Sequence, residues 1–428
     1  MALEDRRRVV ITGAGCLSCL ADSAAGLHAA LAAGQSGLKA IELFPTEAIG
    51  CHQAGEIRPF DAQGYLPDRN LRPIDRTSRL LLVAAGQALA ASGRSLEVAE
   101  RGDAEIGLVL GTTFCSLRTI AEFDRRNLQL GPSYASPLDF ANSVINAAAG
   151  QAAIWFGLRG LNSTISAGAS SGLAAVGYAT DQIRGGRATA LLAGGAEELC
   201  FESFFGHYQA GRLCGSAGNR NEEKDEVPVP FDARRNGFAL AEGAALMMLE
   251  DAAAAAERGA PVLAEVLGHG SGFDPLGTPE SAVCAVARAV RLALEEAGLR
   301  PQDVDALSAG ANGSVDADRW EAAGVAAALG SRAASLPVTA VKSMLGEALG
   351  ASGGLQLVAL LGTLDDDVLP GILGLEQTEE GFPLPGASPN AQRLPAHRGS
   401  GSVTVLATAL SADGHAWAVL LGDGRGSA

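Results

Sequence analysis

The chain of 428 residues predicts an α/β fold made from two copies of one strand–helix unit. Three observations predict it. Short buried-strand runs such as Val9-Val-Ile11 and Ile106-Gly-Leu-Val-Leu110 alternate with segments of helical period. Glycine is abundant, at 55 residues, as expected where many strands turn tightly into helices. The arrangement of the first part also recurs after residue 250. With 47% apolar and only 19% charged residues the chain can bury a large core, and two halves, 1–250 and 251–428, are expected.

The elements follow in order. Arg6-Arg7-Arg8 leads into the buried strand Val9-Val-Ile11, which ends in the glycine turn Gly13-Ala-Gly15. That turn has half of a dinucleotide fingerprint, but no third glycine and no strand-end acid complete it, so no cofactor is assigned. A helix is expected near Ala24–Ala33, then a Pro/Gly-containing region to about Asp75. Arg79–Ser92 carries apolar residues at helical spacing and stops at Gly93, a good residue just past a helix end. Ile106–Thr113 reads as a buried strand, 114–141 shows several aromatics and no clear period, and Ala141–Phe156 reads as a helix.

The stretch that organises the chain is Ser163-Thr-Ile-Ser-Ala-Gly-Ala-Ser-Ser-Gly172. Its small residues let a strand turn sharply into the helix that runs through Leu173, Val176, Ala179 and Ile183. Such an elbow suits a nucleophile, because exposed amides and the helix dipole stabilise an anion there. Its bland alternative is a tightly packed helix start. Thr189–Gly195 is the next strand, and Gly215–Val227, with Asn219-Arg-Asn-Glu-Glu-Lys-Asp225, is the most solvated loop of the first half.

The echo comes next. Val286–Gly298 and Val304–Gly310 repeat Arg79–Gly93 and Ile106–Gly111. Gly350-Ala-Ser-Gly-Gly354, a helix over Leu355–Leu364 and a strand Val368–Gly371 repeat the elbow, its helix and the strand after it. The linker-like Leu375–Gly401 precedes a closing strand pair, Val403–Leu406 and Trp417–Leu421.

A net charge of −16 argues against nucleic acid and anionic membrane as partners. No apolar run approaches the roughly 20 residues of a membrane span, and a signal-peptide core is missing, so the cytoplasm is the expected compartment. The seven scattered cysteines read as reduced thiols, and neither they nor the six histidines show metal-ligand spacing.

The chain resembles the β-ketoacyl synthases. The similarity lies in Val9-Val-Ile-Thr-Gly-Ala-Gly15, Ala193-Gly-Gly-Ala-Glu197, Pro230-Phe-Asp-Ala-Arg-Arg-Asn-Gly-Phe-Ala-Leu-Ala-Glu-Gly243 with Leu249-Glu-Asp251, and Val341-Lys-Ser-Met-Leu-Gly346, spread over nearly the whole chain in the family's order. The resemblance implies the thiolase-like fold: duplicated α-β-α-β-α halves with two central mixed sheets, one half in 1–250 and the other in 251–428. It also implies chemistry by an elbow cysteine that takes an acyl chain from an acyl carrier protein, and two histidines that act on the malonyl thioester.

All three side chains are missing. The cysteine position is Ala169. The first histidine position falls on Gly310 in an ungapped match through Asp318 and Glu321, or on Asn312 with a two-residue slip. The second falls on Glu347. Lys342 and Glu321, which support the site, remain. A methyl group cannot form a thioester. A trap mutant would explain the alanine but not the histidines, and a loading-type decarboxylase is expected to keep its histidines.

Within the family the resemblance points to a chain length factor, the non-catalytic partner of a type II polyketide ketosynthase. Such subunits typically carry glutamine where this chain has Ala169. The family's Gly-Phe-Gly-Gly loop is replaced by Ser411-Ala-Asp-Gly414, with Ala412 at the gating phenylalanine. The role implied is an obligate heterodimer with an active ketosynthase, the elbow strand pairing across the two-fold axis. Phe114, Leu117, Phe140 and Ile145 are candidates to line the tunnel that sets polyketide or polyene chain length. The carrier protein is expected to dock mainly on the partner, with Arg72, Arg76 and Arg79 contributing locally or forming only a solvated helix face. Two alternatives stand beside it: an acyl hydrolase or acyltransferase using Ser170 or Ser171 with Glu347 or His415 as base, and a homodimeric binder of acyl chains.

Overall fold

The computed structural model describes residues 7–47, 49–66, 69–94, 105–216, 225–394 and 403–423. Arg6 and most of the solvated loop 219–225 lie outside these residues. Ten strands form one continuous ladder: β1 (Val9–Ser18), β2 (Ile106–Gly111), β3 (Asn162–Ile165), β4 (Ala190–Glu197), β5 (Gly243–Asp251), β6 (Ala264–Phe273), β7 (Ala306–Ser308), β8 (Val338–Thr339), β9 (Thr404–Leu410) and β10 (His415–Gly422). Their order is β8-β7-β9-β10-β6-β1-β5-β4-β2-β3. Read outward from the centre, each side repeats the other, with β1, β5, β4, β2 and β3 answered by β6, β10, β9, β7 and β8. In each set the outer strands are parallel and the inner ones antiparallel. The two mixed sheets join where Val10 and Ile11 of β1 pair with Glu265 and Ala264 of β6.

Nine principal helices dress this ladder: α1 (Ala24–Ala32), α2 (Arg76–Ala91), α3 (Leu117–Leu130), α4 (Ala147–Phe156), α5 (Ser171–Arg184), α6 (Phe201–Gln209), α7 (Pro279–Ala297), α8 (Val315–Leu329) and α9 (Ser352–Asp366). Helices α5 and α9 lie between the two sheets, while α2 covers the outer face of one and α7 that of the other. The result is five alternating layers around three apolar clusters, the α-β-α-β-α arrangement of the thiolase-like fold. Gly13 and Gly15 serve this packing. A Cβ at either would lie 2.4 or 2.2 Å from the carbonyl oxygens of Ala88 and Ala84 on α2. The glycines of the first strand thus admit a helix backbone rather than a nucleotide.

Several elements differ from the sequence reading. Val368–Leu369 does not join the main sheet; it pairs with Gln392–Arg393 in a separate ribbon, and β9 takes the place equivalent to β4. The stretch read without period contains α3, in which no residue is buried, and the short helix Pro137–Ala141. The helix expected from Ala141 begins at Ala147. Strands β5, a continuous apolar run buried throughout, and β6, buried at every second residue, complete the two sheets although the sequence reading assigned neither.

Candidate functional site

The elbow is built as its small residues predict. Among the described residues strand β3 pairs only with β2 and forms one edge of the ladder. The chain then turns through Gly168, at φ +54°, into α5, whose N-cap is Ser170. Ala169 is half-buried at the turn. Its amide donates to Ser411 Oγ at 3.1 Å. The amides of Ser170 and Ser171 donate to the carbonyls of Ala167 and Gly168, and that of Ala167 to Ser171 Oγ at 2.8 Å. Four amides of the elbow are therefore engaged within the chain, where an anion-stabilising turn needs donors facing a ligand.

Ser170 and Ser171 are fully buried. Ser170 Oγ donates to Ala167 O at 2.6 Å, and Ser171 Oγ to Gly168 O at 2.6 Å and Thr112 O at 3.2 Å. Neither hydroxyl bonds to His415 or Glu347 among the described residues; the His415 ring packs tilted at 50° against Phe273 instead, with centroids 5.0 Å apart. Buried hydroxyls spent on backbone carbonyls offer no activated nucleophile.

The remaining positions meet across the sheet ends. Gly310 follows β7, and a Cβ there would lie 2.7 Å from both Ala409 Cα and Thr408 O. No histidine fits without moving β9. Asn312, two residues on, donates from Nδ2 to Glu347 Oε2 at 2.8 Å. Lys342 Nζ reaches the same oxygen at 2.7 Å and also bonds Gly310 O at 2.8 Å. Glu347 Oε1 accepts from Ser352 Oγ at 2.6 Å and from Leu349 N at 2.9 Å. Glu347 and Lys342 are 1% and 5% exposed. With four donors on its two oxygens, Glu347 is locked and cannot shuttle a proton as a base.

Glu321 accepts from Gly310 N at 2.9 Å and Thr408 Oγ1 at 2.7 Å, and burial pushes its carboxyl up to about 7. Asp318, which collects the amides of Phe231, Asn312 and Gly313, is raised to about 6 by burial. These two carboxyls hold the loop after β7. The loop after β2 and the turn around Glu347 are joined through Glu197 at the end of β4. Its carboxylate takes the amides of Thr113, Phe114, Cys115 and Gly350, and burial raises it to about 7.

The chain belongs to the β-ketoacyl synthase family. The model of the β-ketoacyl synthase N-terminal domain matches residues 6–255 and that of the C-terminal domain residues 263–376. A 3-oxoacyl-[acyl-carrier-protein] synthase 2 of Vibrio cholerae is 33% identical over 88% of this chain and 91% of its own length. A synthase of the same name from Coxiella burnetii is 32% identical over 89% and 91%. Among solved structures, the ishigamide ketosynthase/chain length factor superimposes with a TM-score of 0.87 at 28% identity, covering 98% of this chain and 99% of its own.

In this β-ketoacyl synthase relative the four tunnel candidates are not core. Phe114, Phe140 and Ile145 are 39%, 62% and 42% exposed, and Leu117 is half-buried at the start of α3. Leu138, Val144 and Ile154 are exposed apolar residues as well. Ala412 is exposed in the tight turn that carries Ser411. Arg72, Arg76 and Arg79 do not form a simple helix face. With Arg69 and Arg118 they surround a cavity of about 640 Å³ floored by Phe60. Arg76 is bound bidentately by Glu242, and Arg79 donates to Ile74 O and Leu71 O. Asp181, His269 and Glu296 also come together, but Arg184 Nη1 lies 2.8 Å from Glu296 Oε1, so a cation of the chain already sits against this group. No helix among the described residues is long and apolar enough to cross a membrane. The sequence motifs include Glu197 and Ser411 but give no sign that one joins the loop after β2 to Gly350 and the other meets the Ala169 amide.

Proposed function

We propose that this chain is a non-catalytic chain length factor that pairs with an active ketosynthase and shapes the space into which the chain grows. One observation carries the reading: the elbow presents a methyl group where a nucleophile is needed, and the amide of that same residue is capped by Ser411 Oγ. The locked Glu347 and the steric closure at Gly310 support it, since neither replaces an imidazole in function or in shape. Likeness at 28% identity to a ketosynthase/chain length factor structure supports the same assignment.

The partner's place follows from what is uncovered. The exposed apolar residues and the edge strand β3 offer surface that a second, similarly built subunit would bury. The curated relatives are named for an acyl carrier protein, and here the carrier docks chiefly on the partner. The arginine-lined cavity adds a local attraction for an acidic carrier. Length control is steric. Overpacking a rigid wall by one unit costs roughly 1–3 kcal/mol, enough to bias where growth stops.

Co-expression with a catalytic ketosynthase and mass spectrometry of carrier-bound products tests this. The pair should condense and the isolated chain should not. Phe114→Ala in the pair should lengthen the products. Condensation by the purified chain alone, or thioester hydrolysis by it, would overturn the assignment.

A further inference from the structure

Beside α2 the chain gathers positive charge that its own acids do not answer. Arg69, Arg72, Arg76, Arg79 and Arg118 line one cavity of about 640 Å³, and Asp61 is the one acid among the described residues that line it. Two of the five arginines are neutralised. Glu242 holds Arg76 with both oxygens, and Arg118 Nε donates to Glu122 Oε1 at 2.9 Å. Arg69, Arg72 and Arg79 form no ion pair among the described residues, in a chain whose net charge is −16. Asp75, next to Arg76, is spent elsewhere, accepting from Ser78 N at 3.0 Å, Ser78 Oγ at 2.6 Å and Ser116 Oγ at 2.8 Å.

Two of the three unpaired cations are oriented by groups that leave their charge intact. Arg79 donates from Nε to Ile74 O at 2.8 Å and from Nη2 to Leu71 O at 3.0 Å. Arg69 donates from Nη1 to Trp155 O at 2.8 Å, and its guanidinium lies over the Trp155 ring, 5.4 Å from the centroid. Carbonyl oxygens fix direction without cancelling a unit charge, so these cations are positioned before any ligand arrives. Arg79 Nη1, Arg69 Nε and Nη2 and the whole Arg72 guanidinium keep donors without a partner among the described residues. Arg69 and Arg72 are exposed and Arg79 is half-buried, so these donors are within reach of a molecule in the cavity.

Planar guanidiniums match phosphoryl oxygens two at a time. One phosphoryl group brings at most about two negative charges, fewer than the three unpaired cations. The volume lies inside the range of roughly 300–1,000 Å³ found for small-molecule sites. Phe60 and Leu71 add apolar lining, which leaves room for an organic body beside the phosphates. We propose that this cavity binds an organic diphosphate of nucleotide size, with its phosphoryl groups among Arg69, Arg72 and Arg79 and its organic part against Phe60. The site stands on this chain's own residues and does not need the chain length factor reading. Where that reading holds, the ligand and the carrier compete for the same arginines.

Titration calorimetry of the full chain with ADP, with adenosine and with inorganic sulfate tests the proposal. ADP should bind, sulfate should bind far more weakly, and adenosine should not bind. Arg72→Gln removes an exposed cation that makes no side-chain bond to the fold, and should weaken ADP by about tenfold, the worth of one charge-assisted hydrogen bond. Arg72→Lys should recover only part, because an ammonium lacks the fork. If the chain is obtained only with its partner subunit, the same titrations run on the pair, and the Arg72 variants assign the heat to this subunit. Absence of ADP binding, ADP binding no tighter than sulfate, or an affinity untouched by Arg72→Gln overturns the proposal. Arg72-dependent binding of a carrier protein by a chain that does not bind ADP also overturns it and leaves carrier docking as the role of the cavity. ADP binding by a chain that forms no active pair keeps this site and removes the chain length factor reading.

Discussion

Lys342 and Glu347 form a buried ion pair where the family resemblance expects a histidine. A buried ammonium needs a counter-charge once placed, and Glu347 supplies it along with acceptors for Asn312, Ser352 and Leu349. Glu347→Gln leaves Lys342 uncompensated and should cost about 3–5 kcal/mol in urea unfolding; a loss under 1 kcal/mol would show the pair to be dispensable. Glu321 gives a pH signature. Its folded carboxyl titrates at about 7 against an ordinary 4.5, so the folded chain holds a proton that the unfolded chain has released between those values. Stability from this group is fully present below about pH 4.5 and is lost as pH rises through 7, by about 3 kcal/mol. Glu321→Gln cannot ionise and should remove that share of the decline between pH 5 and 8; an unchanged slope would refute it. Glu197 and Glu198, raised to about 7 and about 8 mainly by burial, leave a residual decline of the same sign.

At the scale of elements, α3 explains both a failure of sequence reading and a feature of function. Leu117, Ile120 and Phe123 recur at helical spacing, yet no residue of α3 is buried within the subunit. On the proposed reading this stripe faces the partner subunit, and such a pattern looks irregular when judged as a core stripe of its own chain. Helix α4 packs on the edge strand β3 and leaves Ile154 80% exposed. Ile154→Asp should therefore abolish co-purification with the ketosynthase while changing the stability of the chain itself by less than about 0.5 kcal/mol. Retained assembly would place the interface elsewhere. The closure at Gly310 is likewise an effect of elements, because β9 passes too close to admit a side chain. Gly310→His should destabilise by roughly 1–3 kcal/mol or more through overpacking, and calorimetry would read it.

For the whole molecule, two forces divide the partners. On the proposed reading a heterodimer would rest on apolar area and should persist in high salt, whereas carrier contact through the arginine-lined cavity would be electrostatic and should weaken. Arg72→Glu is expected to reduce carrier binding at low salt and make little difference at high salt. Equal loss at both would show that the contact is not charge-driven. Ala169→Cys alone should give no condensing activity, because the amide beside it remains capped and both imidazole positions remain closed.

How much was legible follows from where the information resides. The runs at Val9–Ile11 and Ile106–Leu110, the elbow and its echo at Gly350–Gly354 announced a duplicated α/β chain, because buried strands and tight turns are written in local apolar runs and small residues. Ala169 and Glu347 could likewise be seen to lack the family's reactive groups, since identity at a matched position needs no coordinates. Tertiary structure decided the rest. It alone showed that Ser411 caps the elbow, that Gly310 is closed by β9, that four donors fix Glu347, and that Arg69, Arg72, Arg79 and Arg118 gather around one cavity. Each of these joins residues far apart in the chain, and distance along a sequence sets no limit on distance in a packed interior.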